Sequence, residues 1–314
     1  MLTPKARGPL SAAVAAALSA PTDRVDVPDP ASADDAAIAL WTLYELHYRG
    51  FDDVDDALEW HPGLLGVRRE LEQELEDRLR SRWTPYTPTG DVGAELFDYV
   101  AAHDGPSLAR HVQGQADEEQ VLELFRVRSV YHAKEADPTS WVVPRLSTGP
   151  KAALMELQYD EYGDGDPNRL HSHLWALGMD GLGLRADYGA YIDDVPVEIL
   201  EQNNAMSLFG LHRRLRGAAL GHLAAFEMTS SMPSRRMAQG LQRLGLAEAM
   251  VAYYAEHVEA DAVHEQLAAR SICGALVAAE PELAGDVFLG AFTCLDLEDR
   301  FAHRMLAAWG VDAA

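Results

Sequence analysis

Apolar positions recur at helical spacing along most of the chain. Behind the N-cap signal Ser32-Ala33-Asp34, the residues Ile38, Leu40, Trp41, Leu43, Tyr44 and Leu46 predict one helix. A second follows Pro62 through Leu64, Leu65, Val67, Leu71, Leu75 and Leu79, with Arg68, Arg69, Glu70, Glu72 and Glu76 opposite. Residues 83–90, rich in Pro, Thr and Gly, read as a linker. Helical periodicity resumes over 92–133, is punctuated by Pro138, Pro144 and Pro150, and continues over 152–162 until Gly163-Asp164-Gly165-Asp166-Pro167 interrupts it. It returns at 168–180, 196–230, 233–245, 247–269 and 281–308. No strand-like alternation appears, so the expected fold class is all-α. The division expected is a flexible tail at 1–35, an N-terminal helical extension at 36–90 and a main domain at 91–314.

With 314 residues, 48% of them hydrophobic, the chain can bury a large core without staples. Its two cysteines, Cys273 and Cys294, lack metal or redox spacing and read as packing residues of a reducing, cytoplasmic compartment. Lys5 and Arg7 precede an alanine-rich run that has the outline of a secretory signal. Alanine is too weakly hydrophobic for that role, and Pro21 disfavours cleavage after Ala20. No apolar stretch approaches the ~18 residues of a membrane span. The formal net charge of -24 disfavours nucleic acid and anionic membranes. It favours a cationic or amine-bearing small substrate, or a basic protein.

The chemistry concentrates in one segment, YYAEHVEADAVH at 253–264. At about 100° per residue, His257, Asp261 and His264 fall within roughly 60° of one another on one helix face. Such a stripe is either a metal-binding face or a solvated polar face, and carboxylates from other helices would decide for metal. Glu227 lies among Leu223, Phe226 and Met228, where a lone acid is costly to bury unless paired or bound to a cation. Glu156 and Glu161 precede the glycine-rich break, and His171 follows it. An unbroken helix would hold Glu161 and His171 about 80° apart, and an unwound turn can bring them together. Carboxylates and imidazoles from several helices, with no thiolate, are the donor set of a di-iron or di-manganese site.

At these residues the chain resembles the haem-oxygenase-like di-iron oxidase/oxygenase superfamily. The resemblance implies a haem-oxygenase-like helical bundle with additional N-terminal helices, and metal ligands at Glu161, His171, Glu227, His257, Asp261 and His264. Residues 158–163 (QYDEYG), 207–217 (SLFGLHRRLRG) and 257–265 resemble more closely the N-oxygenase branch of that superfamily, which adds a carboxylate, matched here by Glu135. The similarity runs from about residue 40 to 310 and includes 45–51 (ELHYRGF). It implies two iron ions, one held by Glu161, His171 and His264 and the other by Glu227, His257, Asp261 and Glu135. Dioxygen would be the co-substrate, with an external electron donor.

The expected function is therefore oxidation of an amine nitrogen of a small molecule to hydroxylamine or nitro, in natural-product biosynthesis. Glu135 is the residue expected to be catalytic. The alternatives are a di-iron desaturase, decarboxylase or lyase of an amino or fatty acid, and a non-catalytic metal- or ligand-binding helical protein. Arg213, Arg214 and Tyr159 are candidate substrate contacts, although an arginine run is more often a solvated face and Tyr159 also suits a core. The partners expected are the amine and an external reductase, and a homodimer is left open.

Overall fold

The computed structural model describes residues 1–312, without the side chains of 259–263. It is helical, and no strand occurs among the described residues. The N-terminal part holds α1 (Pro9–Ser19), α2 (Ala33–Glu45), α3 (Pro62–Arg82), α4 (Val92–Ala101) and α5 (Leu108–Gly114). The middle holds α6 (Glu118–His132), the single-turn α7 (Asp137–Ser140), α8 (Thr148–Glu161), α9 (His171–Gly181) and α10 (Val197–Leu211). The last part is α11 (Arg216–Leu244), α12 (Glu248–Gln266), α13 (Ala275–Ala279) and α14 (Ala284–Ala308), with a π-helical stretch, Leu267–Gly274, joining α12 to α13.

Local chemistry sets the boundaries. Ser32 caps α2 by accepting from the Asp35 amide, Asp91 caps α4, and Asp117 and Gln120 form a capping box on α6. The stretch 92–133 is three helices, because Gly105-Pro106 and the turn before Asp117 interrupt it. Conversely, Pro233 does not end α11, which runs on to the left-handed Gly245 (φ 68°). Within the expected tail lies α1, whose Leu10, Val14 and Leu18 are buried. Buried Asp35 accepts from the Ser11 hydroxyl at 2.6 Å and the Ser11 amide at 2.8 Å, docking α1 on α2.

The core is centred on α11, which packs against α12 on one side and α14 on another. The α11–α14 crossing is closed by two glycines. A Cβ on Gly221 would stand 1.8 Å from the Val287 carbonyl oxygen, and one on Gly290 would stand 2.0 Å from that of Ala218. Only hydrogen side chains allow backbones this close. Leucines of α1 to α3 share one hydrophobic cluster with Leu208, Phe209, Ala218 and Phe288, so the N-terminal helices pack into the same core. Asn204 on α10 also donates to the Ala37 carbonyl on α2 at 2.9 Å.

Candidate metal centre

Four helices and one turn bring acids and imidazoles together. The end of α8 supplies Glu161. The chain then turns through Gly163 (φ 72°), Asp164 (φ 55°) and Gly165 (φ 83°), a left-handed run that glycine adopts without strain. A Cβ on Gly163 would lie 2.6 Å from the Leu170 nitrogen, so the loop folds tightly back on itself. That return places His171, first residue of α9, with Nδ1 2.9 Å from Glu161 Oε2. Glu227 comes from the middle of α11, and His257 and His264 from α12. Glu135 sits in the turn between α6 and α7.

The ligand atoms form two buried groups, Glu135 with His171 and His257, and Glu161 with Glu227 and His264. Within each, the ligand atoms lie within 4.8 Å of one another. His257 Nε2 is 3.8 Å from Glu135 Oε1, and the His171 and His257 rings are 4.5 Å apart. His264 Nδ1 is 3.3 Å from Glu227 Oε2 and 3.9 Å from Glu161 Oε1. Glu161 thus touches both groups, the placement of a bridging carboxylate. The partition differs from the expected one: His171 joins Glu135 and His257, and Glu227 joins His264. Asp261 lies outside the described residues.

Neighbouring groups fix the imidazole orientations, as they do for metal-bound histidines. His257 Nδ1 donates to the Tyr253 carbonyl at 2.8 Å, and His264 Nε2 faces Asp160 Oδ2 at 2.8 Å. The Glu135 turn is held from three sides. His132 Nδ1 bonds its carboxylate at 2.8 Å, and Gln158 donates to the Ala136 carbonyl at 3.0 Å. Lys134 donates to the fully buried Glu45 at 2.8 Å, with its ammonium 4.3 Å from the Tyr48 ring centroid. Tyr188 also donates to Glu45, at 2.9 Å. Glu45 and Tyr48 belong to the ELHYRGF segment, whose role is therefore to anchor the Glu135 turn.

These positioning groups were not legible as such in the sequence. Asp160 had one signal, since it adjoins Glu161 at the end of a helix that faces His264. Trp175 is buried and stacks on His132 with centroids 4.2 Å apart.

The electrostatics call for a cation. Burial raises the Glu135 carboxyl, but His132 and His257 outweigh it and hold the group far below the usual range. Burial pushes Glu227 up, with His264 acting against it. Burial lowers His264, yet Glu227, Glu161 and Asp160 overcome this and lift it to about 9. His171 is raised against its burial by Glu161. In the metal-free protein, protonated imidazoles therefore supply the positive charge among the acids. Nδ1 of His171 and of His264 are buried without a well-directed hydrogen bond, although carboxylate oxygens stand 2.9 and 3.3 Å away. Lone pairs and carboxylates converging in this way suit metal ions, and a wholly N/O donor set without thiolate suits iron.

Residues 122–299 match the family described as iron-containing redox enzymes. The chain belongs to this family. Its haem-oxygenase-like helical architecture agrees with the all-α fold, and its chemistry makes the protein an iron-dependent oxidoreductase. No curated protein matches the chain significantly. No helix among the described residues is long and apolar enough to cross a membrane.

The expected substrate contacts lie elsewhere. Arg214 forks onto Glu76 of α3, Arg213 is exposed, and Tyr159 is 57% exposed with its hydroxyl donating to the Asp164 carbonyl at 2.6 Å. None of the three lines a cavity at the metal centre. The short turn Arg213–Leu215 faces α3, where buried Glu76 takes the Arg214 guanidinium. Glu156 is exposed, and His212 pairs with Glu72 at 2.9 Å. His222 is buried beside the metal centre, and burial lowers it to about 4, so it is neutral at physiological pH.

Proposed function

We propose that the protein is a di-iron oxygenase that uses dioxygen to oxidise an amine nitrogen of a small molecule to hydroxylamine or nitro, within natural-product biosynthesis. The observation that carries the reading is the position of Glu135, which joins His171 and His257 to complete a second acid-and-imidazole group beside Glu161, Glu227 and His264. The smaller donor set of a desaturase or lyase leaves such a carboxylate unused.

Glu135, His171 and His257 would hold one ion and Glu161, Glu227 and His264 the other, with Asp261 completing the set. Bound there, ferrous ions supply the electrons that activate dioxygen, with an external donor restoring them. The protein's own groups set the conditions. His132 Nδ1 lies 2.8 Å from the Glu135 carboxylate and orients it. The Tyr253 hydroxyl stands 3.1 Å from His132 Nδ1 and 3.5 Å from Glu135, and can hold or pass a proton at that carboxylate. Met206, Phe209 and Phe226 line the space beside the acids and keep it apolar.

The test is turnover. Protein loaded anaerobically with two equivalents of ferrous ion is mixed with reductant, a panel of primary amines and isotopically labelled dioxygen. Labelled hydroxylamine or nitro product, lost in Glu135→Gln, supports the reading. Alkene or decarboxylated product replaces it with desaturation or lyase chemistry, and absence of dioxygen consumption replaces it with a binding role.

A further inference from the structure

Two cavities meet at the metal centre. The inner one touches Glu135, Glu161, Glu227 and His257 and ends against Met206 and Phe209; its empty space, mouth included, is about 600 Å³. The outer one touches only Glu135 and His257 of these acids and imidazoles, is about 1290 Å³ with its mouth, and runs out to His103 and Asp299. Glu135, Phe226 and His257 belong to both linings and form the wall between them. The inner space suits ions and dioxygen, whereas the outer has room for an organic molecule.

The charges of the outer cavity restrict what that molecule can be. Arg128 is the only Arg or Lys in its lining. Both of its terminal nitrogens are committed to Glu298, one at 2.7 Å, and its guanidinium lies 4.7 Å from the Phe301 centroid. Gln202 adds a 2.8 Å bond to the same carboxylate. Drawing Arg128 toward an incoming carboxylate would break its two-nitrogen contact with the half-buried Glu298, so an acid gains little by replacing that partner. Asp299 at the mouth adds negative charge and faces His103 at 2.9 Å. Pro233 has no amide hydrogen, so the Thr229 carbonyl lacks its helical donor, and both residues line the cavity. Leu124, Met237, Leu295 and Ala302 give the lining an apolar side, and its remaining polar groups, Ser107, Ser230, Ser234 and the tyrosines, are uncharged. The overall charge of -24 repels anions further.

We propose that the outer cavity is the substrate chamber, and that it takes a primary amine on an apolar body with no free carboxylate, bringing the nitrogen to the Glu135–His257 wall. The Arg128–Glu298 pair is the specificity element. By holding the one fixed cation of the lining, Glu298 denies it to amino acids and fatty acids. This deepens the amine-oxidising reading and rests on it.

The experiment measures binding without dioxygen, so that it does not depend on turnover. Hexylamine, hexanoate and 6-aminohexanoate are titrated by calorimetry into protein loaded with two equivalents of ferrous ion under anaerobic conditions. Hexylamine is expected to bind about tenfold or more tightly than either acid. Glu298→Gln, which releases Arg128, is expected to raise hexanoate affinity about tenfold. Half-buried Ser230 lines the same cavity, and Ser230→Trp is expected to abolish amine binding while iron uptake stays at two equivalents. Hexanoate binding as tightly as hexylamine in the unmodified protein overturns the proposal, as does amine binding that survives Ser230→Trp. If hexylamine binds as expected but dioxygen then attacks carbon, the nitrogen-oxidising reading fails and the chamber stands.

Discussion

Asp160 Oδ2 lies 2.8 Å from His264 Nε2, and this contact turns the opposite ring nitrogen toward Glu227. Asp160 is a third exposed, so its contribution is orientation more than charge. Removing a group that orients a metal-bound histidine typically costs about 10- to 100-fold in affinity. Asp160→Ala should therefore weaken uptake of one ferrous equivalent by that factor and leave the other unchanged, read by anaerobic titration. Equal loss of both equivalents, or of neither, would contradict this assignment.

The Lys134–Glu45 pair is enclosed, with both side chains almost fully buried. Glu45→Gln leaves an ammonium without its counter-charge, a change that costs about 3–5 kcal/mol. Denaturant unfolding should show a loss of that order. The double variant Glu45→Gln/Lys134→Met should recover most of it, because no charge is then stranded. A single variant as stable as the unmodified protein would remove the pair from the account of how the Glu135 turn is held.

For His264 the folded pKa, about 9, lies above the ordinary value of 6.5. The group therefore stabilises the metal-free protein fully below about 6.5, and that contribution is lost as pH rises through about 9. Since His171 shifts in the same sense and His47, His132 and His222 in the opposite one, the comparison is with His264→Gln. The stability difference between the two proteins should shrink across this window. Ferrous ion displaces the same proton, so iron affinity should rise with pH over the same range. A difference independent of pH would contradict the assignment.

Two glycines should respond with opposite sign to alanine. At Gly221 the added methyl would meet the Val287 carbonyl at 1.8 Å and force α11 from α14, costing about 1–3 kcal/mol or more. Gly66, on the exposed face of α3, has nothing within 4 Å, and Gly66→Ala should gain about 0.5–1 kcal/mol. Equilibrium unfolding of both variants checks the pair, and a harmless Gly221→Ala would mean that the crossing is not set by this contact.

The sequence by itself determined the all-α class, because apolar residues at helical spacing have no other way to share one face. It also determined which residue types were available for metal, and the phase of α12, where His257 and His264 lie seven residues apart on one side. Azimuth within a helix follows from counting residues. Distance between helices does not, since it depends on how closely the backbones pack, and here Gly221 and Gly290 set that approach for α11 and α14. Only the tertiary structure could decide that His171 joins Glu135 and His257, that Glu161 stands between the two groups, and that Arg214 spends its charge on Glu76. The clamp on Glu135 was beyond local reading for the same reason: Glu45 and Lys134 are 89 residues apart, and only the shared core makes them partners.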